Sequence, residues 1–357
     1  MAPLRPLALL ALVLASSAVF AAPFGPARTI SPLISVPGDV ELAYVGDSVV
    51  ALWIEGSVLH SAVAGGRTSR EIAAGVERVG VAWSEDRALV VWTQTSGAVM
   101  AVPLESDGSI GGSIVRIGTA EGSFAVAVAY GSGRYVAAWA GPLDAVYAAA
   151  LSPAGGIVVP AMPVSTQAAA GIGAVEMASN GERFAVVWYL WTSPLEVFAT
   201  TLSDNAVPLS MTPIRLGAGA IPDVTSDGSG FMAVWGGGTQ PGIVGRRLSP
   251  SGEILREVRF TSEIDTAPRV AWDGSAYTIA YRHYVEPRPG FAFNILTVYR
   301  FAASGAYVES LRPDSGILFI GEIDLIARDG RVDLMWGGSL QTAEVEWPFA
   351  RRRPTRH

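Results

Sequence analysis

An aromatic residue returns along this chain at near-regular intervals. It stands at Trp53, Trp92, Trp139, Trp188, Trp235, Tyr281 and Trp336, with spacings of 39, 47, 49, 47, 46 and 55 residues. Each follows an apolar pair, such as Ala51-Leu52, Val90-Val91, Ala233-Val234 or Leu334-Met335. Thirteen residues before it stand Val40, Val79, Val126, Val175, Pro222, Pro268 and Ile323; eleven before it, Leu42, Val81, Val128, Met177, Val224, Val270 and Leu325. No gap interrupts any of the seven copies. A unit of this size is one supersecondary element that cannot bury its own apolar faces, so neighbouring units must stack on each other.

The period matches a β-propeller blade. Each copy reads as four short strands: a V-x-V-A segment, a strand ending at the aromatic, a third typified by Ile243 to Leu248, and a fourth near Ile254 to Phe260. Fourth strands are likewise expected at Ser113 to Gly118 and Met211 to Leu216. Asn180-Gly181, Asp227-Gly228, Asp273-Gly274 and Asp329-Gly330 supply positive-φ residues for the first hairpin. The last copy has room for a third strand near Gln341 to Trp347 but not for a fourth, while Arg28 to Ser35 is an unassigned strand ahead of the first copy. The expected fold is all-β: a seven-bladed β-propeller of four-stranded antiparallel blades. The N-terminal strand completes the last blade and removes the open edge. Six or eight blades, or tandem sandwiches, are the alternatives.

The remaining segments are short. Arg5, the apolar run Leu7 to Val13 and Val19-Phe20-Ala21 read as a secretory signal peptide over 1–21, cut after Ala21. The propeller domain is expected over 22–350 and a basic tail over 351–357. The apolar run is too short for a transmembrane anchor. A secreted or periplasmic location follows. There is no cysteine, which excludes disulfides, thiolate catalysis and cysteine-bound metal, and every basic residue is arginine, which excludes a lysine Schiff base. A net charge of −7 argues against nucleic acid as a partner. Half the residues are apolar and 16% charged, a balance suited to sheets buried on both faces.

From residue 28 to 350 the repeat resembles bacterial secreted β-propeller repeat proteins. It lacks the Trp-Asp ending of WD40 blades, the Gly-Gly pair of kelch blades and the D-x-D-x-D-G calcium loop of integrin-type blades. Ser226-Asp227-Gly228 matches part of a sialidase Asp-box but lies between the wrong strands. The resemblance implies a fold and no enzyme family.

The repeat departs from uniformity in two places. Twelve residues before each aromatic stand Glu41, Gly80, Ala127, Glu176, Asp223, Arg269 and Asp324. Charges in a strand otherwise built of Val, Leu and Ala would ring the mouth of a central channel. Three readings are open: a wet mouth with locally paired charges, Asp223 with Arg269 for instance; a Ca²⁺ site of Glu41, Glu176, Asp223 and Asp324; or acid/base catalysis by a carboxylate pair steadied by Arg269. The second departure is a pair of long aromatic loops on the same face, Tyr189 to Pro194 and Arg282 to Gly290, with Gly236-Gly237-Gly238 between them. His60, His283 and His357 show no zinc spacing, and there is no G-x-S-x-G elbow for His283 to serve. The recurring tryptophan is read as inter-blade packing rather than a sugar platform.

The reading that results is a non-enzymatic module binding a protein, peptide or carbohydrate through Glu176, Asp223, Arg269, Trp191, Arg282 and Tyr284. A hydrolase or lyase acting on a glycan or lactone through the channel-mouth carboxylates is the alternative.

Overall fold

The computed structural model describes residues 28–33, 39–64, 66, 68–122, 125–165, 170–237, 241–263, 265–288, 291–311, 320–339 and 345–352. The expected signal segment 1–21 and residues 353–357 lie outside them.

The described chain forms seven four-stranded antiparallel sheets. Their first strands are Val40–Val45, Val76–Trp83, Val126–Gly131, Ile172–Ser179, Ala220–Ser226, Asp265–Trp272 and Ile320–Arg328. In six sheets the strands follow chain order. In the seventh, Arg28–Leu33 pairs with Val345–Arg352, so the outermost strand comes from the N-terminal end. The third strand of that sheet is Val345–Arg352, and 341–344 of the expected Gln341 to Trp347 lie outside the described residues. Arg351 and Arg352, assigned to the tail, end it, opposite Asp333 and Val332.

Register explains the sequence columns. The residue thirteen before the aromatic is its direct cross-strand partner in five copies: Val40 with Trp53, Val79 with Trp92, Val126 with Trp139, Val175 with Trp188 and Ile323 with Trp336. Pro222 and Pro268 occupy the position in the other two. Proline has no N–H for the ladder, and neither proline is paired with its aromatic.

The seven aromatics are 3% exposed or less. Each packs into the layer between its own sheet and the preceding one: Trp92 with Leu52 and Ile54, Trp139 with Leu89 and Val91, Trp188 with Ala138 and Val146. Trp53 packs beside Ile326 and Met335 of the seventh sheet. Trp139 and Trp235 donate from Nε1 to the carbonyls of Thr119 and Ala218, at 2.9 and 3.0 Å, in the fourth strand of the preceding sheet. A flat ring with one polar edge suits this gap between sheets.

The first hairpins differ in detail from expectation. Asp329 and Gly330 both have positive φ, but at the other three only Gly181, Gly228 and Gly274 do. Asn180, Asp227 and Asp273 instead accept backbone N–H bonds from two and three residues ahead. The Arg282 to Gly290 loop is mostly strand: Ala276–Arg288 pairs with Phe291–Ala302 in an extended hairpin.

Candidate functional site

The seven residues twelve before each aromatic all line one cavity of about 340 Å³. Glu41, Glu176 and Arg269 also line a second, of about 270 Å³. The larger cavity opens past the C-terminal ends of the first strands, toward the hairpin turns, and reaches Trp83, Tyr130, Ser179, Ser226 and Trp272. The smaller opens past their N-terminal ends, toward the connections between second and third strands, and reaches Tyr189, Trp191 and Arg282. The charged belt therefore lies between two cavities rather than at one mouth.

Its members divide by partner. Arg269 Nη1 donates to Glu176 Oε1 at 2.6 Å, joining the sixth sheet to the fourth, and its Nε donates to the Ile323 carbonyl at 3.0 Å. The local pair expected for Arg269 was Asp223; the structure gives it Glu176. Asp223 instead accepts the N–H of Val224 at 2.8 Å and of Val270, in the next sheet, at 2.6 Å. Asp324 accepts those of Leu325 and Leu42. Asp39 accepts those of Val40 and Val79. These first strands are sheet edges, whose outward N–H groups need acceptors when buried. Three aspartates supply them and tie successive sheets together.

Glu41 has no hydrogen bond or ion pair to its carboxylate among the described residues. Burial holds its pKa well above the usual carboxylate range, and Asp324, Asp39 and Glu176 raise it further against the pull of Arg269. Burial also pushes Glu176 up to about 7, although Arg269 draws it down. Burial lifts Asp39 to about 7, with Glu322 adding to it. Burial lifts Asp223 and Asp324 to about 6, against Arg269. The carboxylates in turn hold the Arg269 guanidinium firmly protonated, overcoming its burial.

The set considered for Ca²⁺ is not gathered as a ligand shell. Among the described residues no three His, Cys, Asp or Glu side chains converge as they would on an ion. Asp223 and Asp324 hold backbone N–H groups with both oxygens.

At the loop-side cavity, Trp191 is 61% exposed and stands edge-on to Tyr189, with ring centroids 5.2 Å apart. Gly173 makes room for this: a Cβ there would lie 2.0 Å from the Tyr189 ring. Arg282 lines the same cavity, and its Nε is buried with no partner among the described residues. Tyr284 lines neither cavity. It lies further along the extended hairpin, where its hydroxyl donates to Glu286 at 3.3 Å. Gly236 is no pocket floor either; it allows the backbone of Asp265 and Thr266 to approach, with a Cβ falling 2.9 Å from the Asp265 carbonyl. Gly238 lies outside the described residues. His283 is held between Asp265, at 2.7 Å from Nδ1, and Glu263, at 3.3 Å from Nε2. His60 stacks on Trp53.

Two groups of cavity residues escape the twelve-residue count. Two positions further back stand Asp39, Arg78 and Glu322, which line the loop-side cavity. Three positions further on stand Trp83, Tyr130 and Trp272, which line the turn-side cavity. Extending the same alignment by those offsets would have found both.

No protein-family model and no curated protein matches the chain. Solved structures do match its shape. The WD40 domain of coronin from Toxoplasma gondii superposes with a TM-score of 0.58 at 11% identity, covering 93% of this chain and 86% of that one. Raptor from Chaetomium thermophilum gives 0.55 at 13% identity, over 91% of this chain and 29% of that one. The β-propeller domain of the Trilobed protease from Pyrococcus furiosus gives 0.54 at 7% identity, over 90% and 96%. The shared feature is architecture: this chain has the β-propeller fold. At such identities the likeness speaks for the fold alone.

Proposed function

We propose that this chain is an exported, closed seven-bladed propeller that binds a small polar ligand with one flat apolar face, a carbohydrate or a peptide segment. The ligand sits at the loop-side mouth of the channel. The observation that carries this reading is Trp191, largely exposed on a firm Tyr189 backing beside a cavity that Arg282 also lines, its Nη1 donating to the Gly321 carbonyl at 3.4 Å. An exposed ring offers a stacking surface, and Arg282, Arg78 and Glu322 offer donors and acceptors around it. Closure is supported by the Arg28–Leu33 pairing in the last sheet and by Trp53 packing against it. Export rests on the signal-like segment over 1–21.

The test is a thermal-shift screen of the purified protein against monosaccharides and short peptides, followed by titration of each hit. Trp191→Ala and Arg282→Gln are expected to abolish binding without lowering stability much. Hits that survive both substitutions overturn this site.

The acid/base reading draws on the raised pKa values of Glu176 and Glu41, which would keep an acid protonated near neutrality. It assigns the acid to the glutamates rather than to Asp223, because Asp223 is committed to backbone N–H groups. It requires turnover of a glycan or lactone that Glu176→Gln removes; no turnover by the wild-type protein sinks it.

A further inference from the structure

The turn-side cavity has a chemistry of its own. Three aromatic side chains line it, Trp83 from the second sheet, Tyr130 from the third and Trp272 from the sixth. Each is backed by a buried tyrosine: Trp83 stands edge-on to Tyr44 at 5.4 Å, Tyr130 lies 4.8 Å from Tyr135, and Trp272 lies 4.7 Å from Tyr277. Those tyrosines are fixed by hydrogen bonds to Asp333, the Arg87 carbonyl and Asp227. The three rings are thus held rather than loose. Glu41, Glu176, Asp223 and Asp324 lie on the floor with Arg269 as the single cation among the described lining residues. Gly80 and Ala127 leave one side of that floor without long side chains.

We propose that this second cavity binds an organic ammonium ion. The lining offers a partner for both halves of such a ligand. Aromatic faces attract a cation with an apolar shell, and beyond the Arg269–Glu176 pair the floor carries Glu41, Asp223 and Asp324, so an entering cation meets more carboxyl groups than guanidinium. A phosphate or carboxylate ligand would meet the wrong sign. A bare metal ion would leave the rings unused and would find no converged ligand set. A volume of about 340 Å³ suits a small aliphatic amine. Protons held near neutrality by Glu41 and Glu176 would be released as the cation enters. The site is on the opposite side of the charged belt from Trp191 and does not depend on the ligand proposed there.

Choline, putrescine and CaCl₂ are titrated into the intact protein by calorimetry, each in two buffers of different ionisation enthalpy. Tryptophan fluorescence is followed in parallel. Choline and putrescine are expected to bind at one saturable site, with proton release, and to quench fluorescence. Trp272→Leu with Tyr130→Leu is expected to weaken both by about tenfold, and Trp191→Ala to leave both unchanged. Trp83→Leu serves as a second ring variant; near-ultraviolet circular dichroism identifies any variant that fails to fold, because Trp83 also supports Tyr44. Equal binding of Ca²⁺ and the amines, or amine binding indifferent to every ring substitution, would reduce the cavity to a non-selective acidic floor and overturn the proposal. Absence of amine binding overturns it outright.

Discussion

The Tyr44 hydroxyl donates to Asp333 Oδ2 at 2.7 Å across 289 residues of chain, joining the first sheet to the last. Asp333 is fully buried and also accepts Arg331 Nε at 2.7 Å, while the guanidiniums of Arg328 and Arg331 lie 4.4 and 5.2 Å from the Tyr44 ring centre. Tyr44→Phe removes a donor from a buried charge and is expected to cost about 1.5–3 kcal/mol. Tyr135→Phe, which removes a neutral bond to the Arg87 carbonyl between adjacent sheets, is expected to cost about 1 kcal/mol. Urea denaturation of both variants checks the ranking; equal losses would mean that the first-to-last contact has no special weight.

Arg269 is the counter-charge of the belt. Arg269→Met leaves Glu176 buried without its cation and is expected to destabilise by about 3–5 kcal/mol. Adding Glu176→Gln removes the stranded charge and is expected to restore most of the loss. A double variant as unstable as the single one would show that Arg269 acts through its bond to the Ile323 carbonyl instead.

The belt also sets a pH dependence. Asp39 and Glu176 lie near 7, and Asp223 and Asp324 near 6, because burial disfavours their charged forms. In the unfolded chain such groups return to about 4. Between about pH 4 and 7 the folded state binds more protons than the unfolded one, so stability is greatest at the acid end and falls as pH rises through that window. Asp227 and Asp273 are shifted the other way: their own turn hydrogen bonds outweigh burial, and their contribution is lost as pH falls below the ordinary carboxylate range. The melting temperature is therefore expected to peak at about pH 4–5. Glu41→Gln should flatten the alkaline limb; a limb unchanged in Glu41→Gln would show that Glu41 ionises freely.

Two tryptophans of opposite fate separate scaffold from site. Trp139→Ala opens a cavity between the second and third sheets and is expected to cost about 3–5 kcal/mol. Ligand bound per folded molecule should stay constant. Trp191→Ala, on an exposed ring, is expected to change stability by about 0.5 kcal/mol or less and to remove binding at the loop-side mouth. Chemical denaturation and titration of the same two samples distinguish these outcomes.

Much of the architecture was legible in the chain because a blade is a local unit. The spacing of the aromatics, the gap-free apolar columns and the Asp-Gly turns depend on residues within one hairpin, and their registers agree with the count back from each tryptophan. The belt was legible for the same reason: equivalent positions in equivalent units line one cavity. The extended hairpin of the sixth sheet was not. Its Tyr284 and Pro287 carry loop chemistry by composition, yet cross-strand pairing with Phe291–Ala302 holds the strand through Arg288.

By itself, then, the sequence determined the repeat, its strand order and which equivalent positions come together, since these follow from local periodicity and turn geometry. Only the tertiary structure decided what each charge does there. Arg269 meets Glu176 from 93 residues away, and Asp324 meets the N–H of Leu42 from 282. Such partners are chosen by distance across a shared cavity, and a one-dimensional alignment ranks equivalent positions without saying which of them touch.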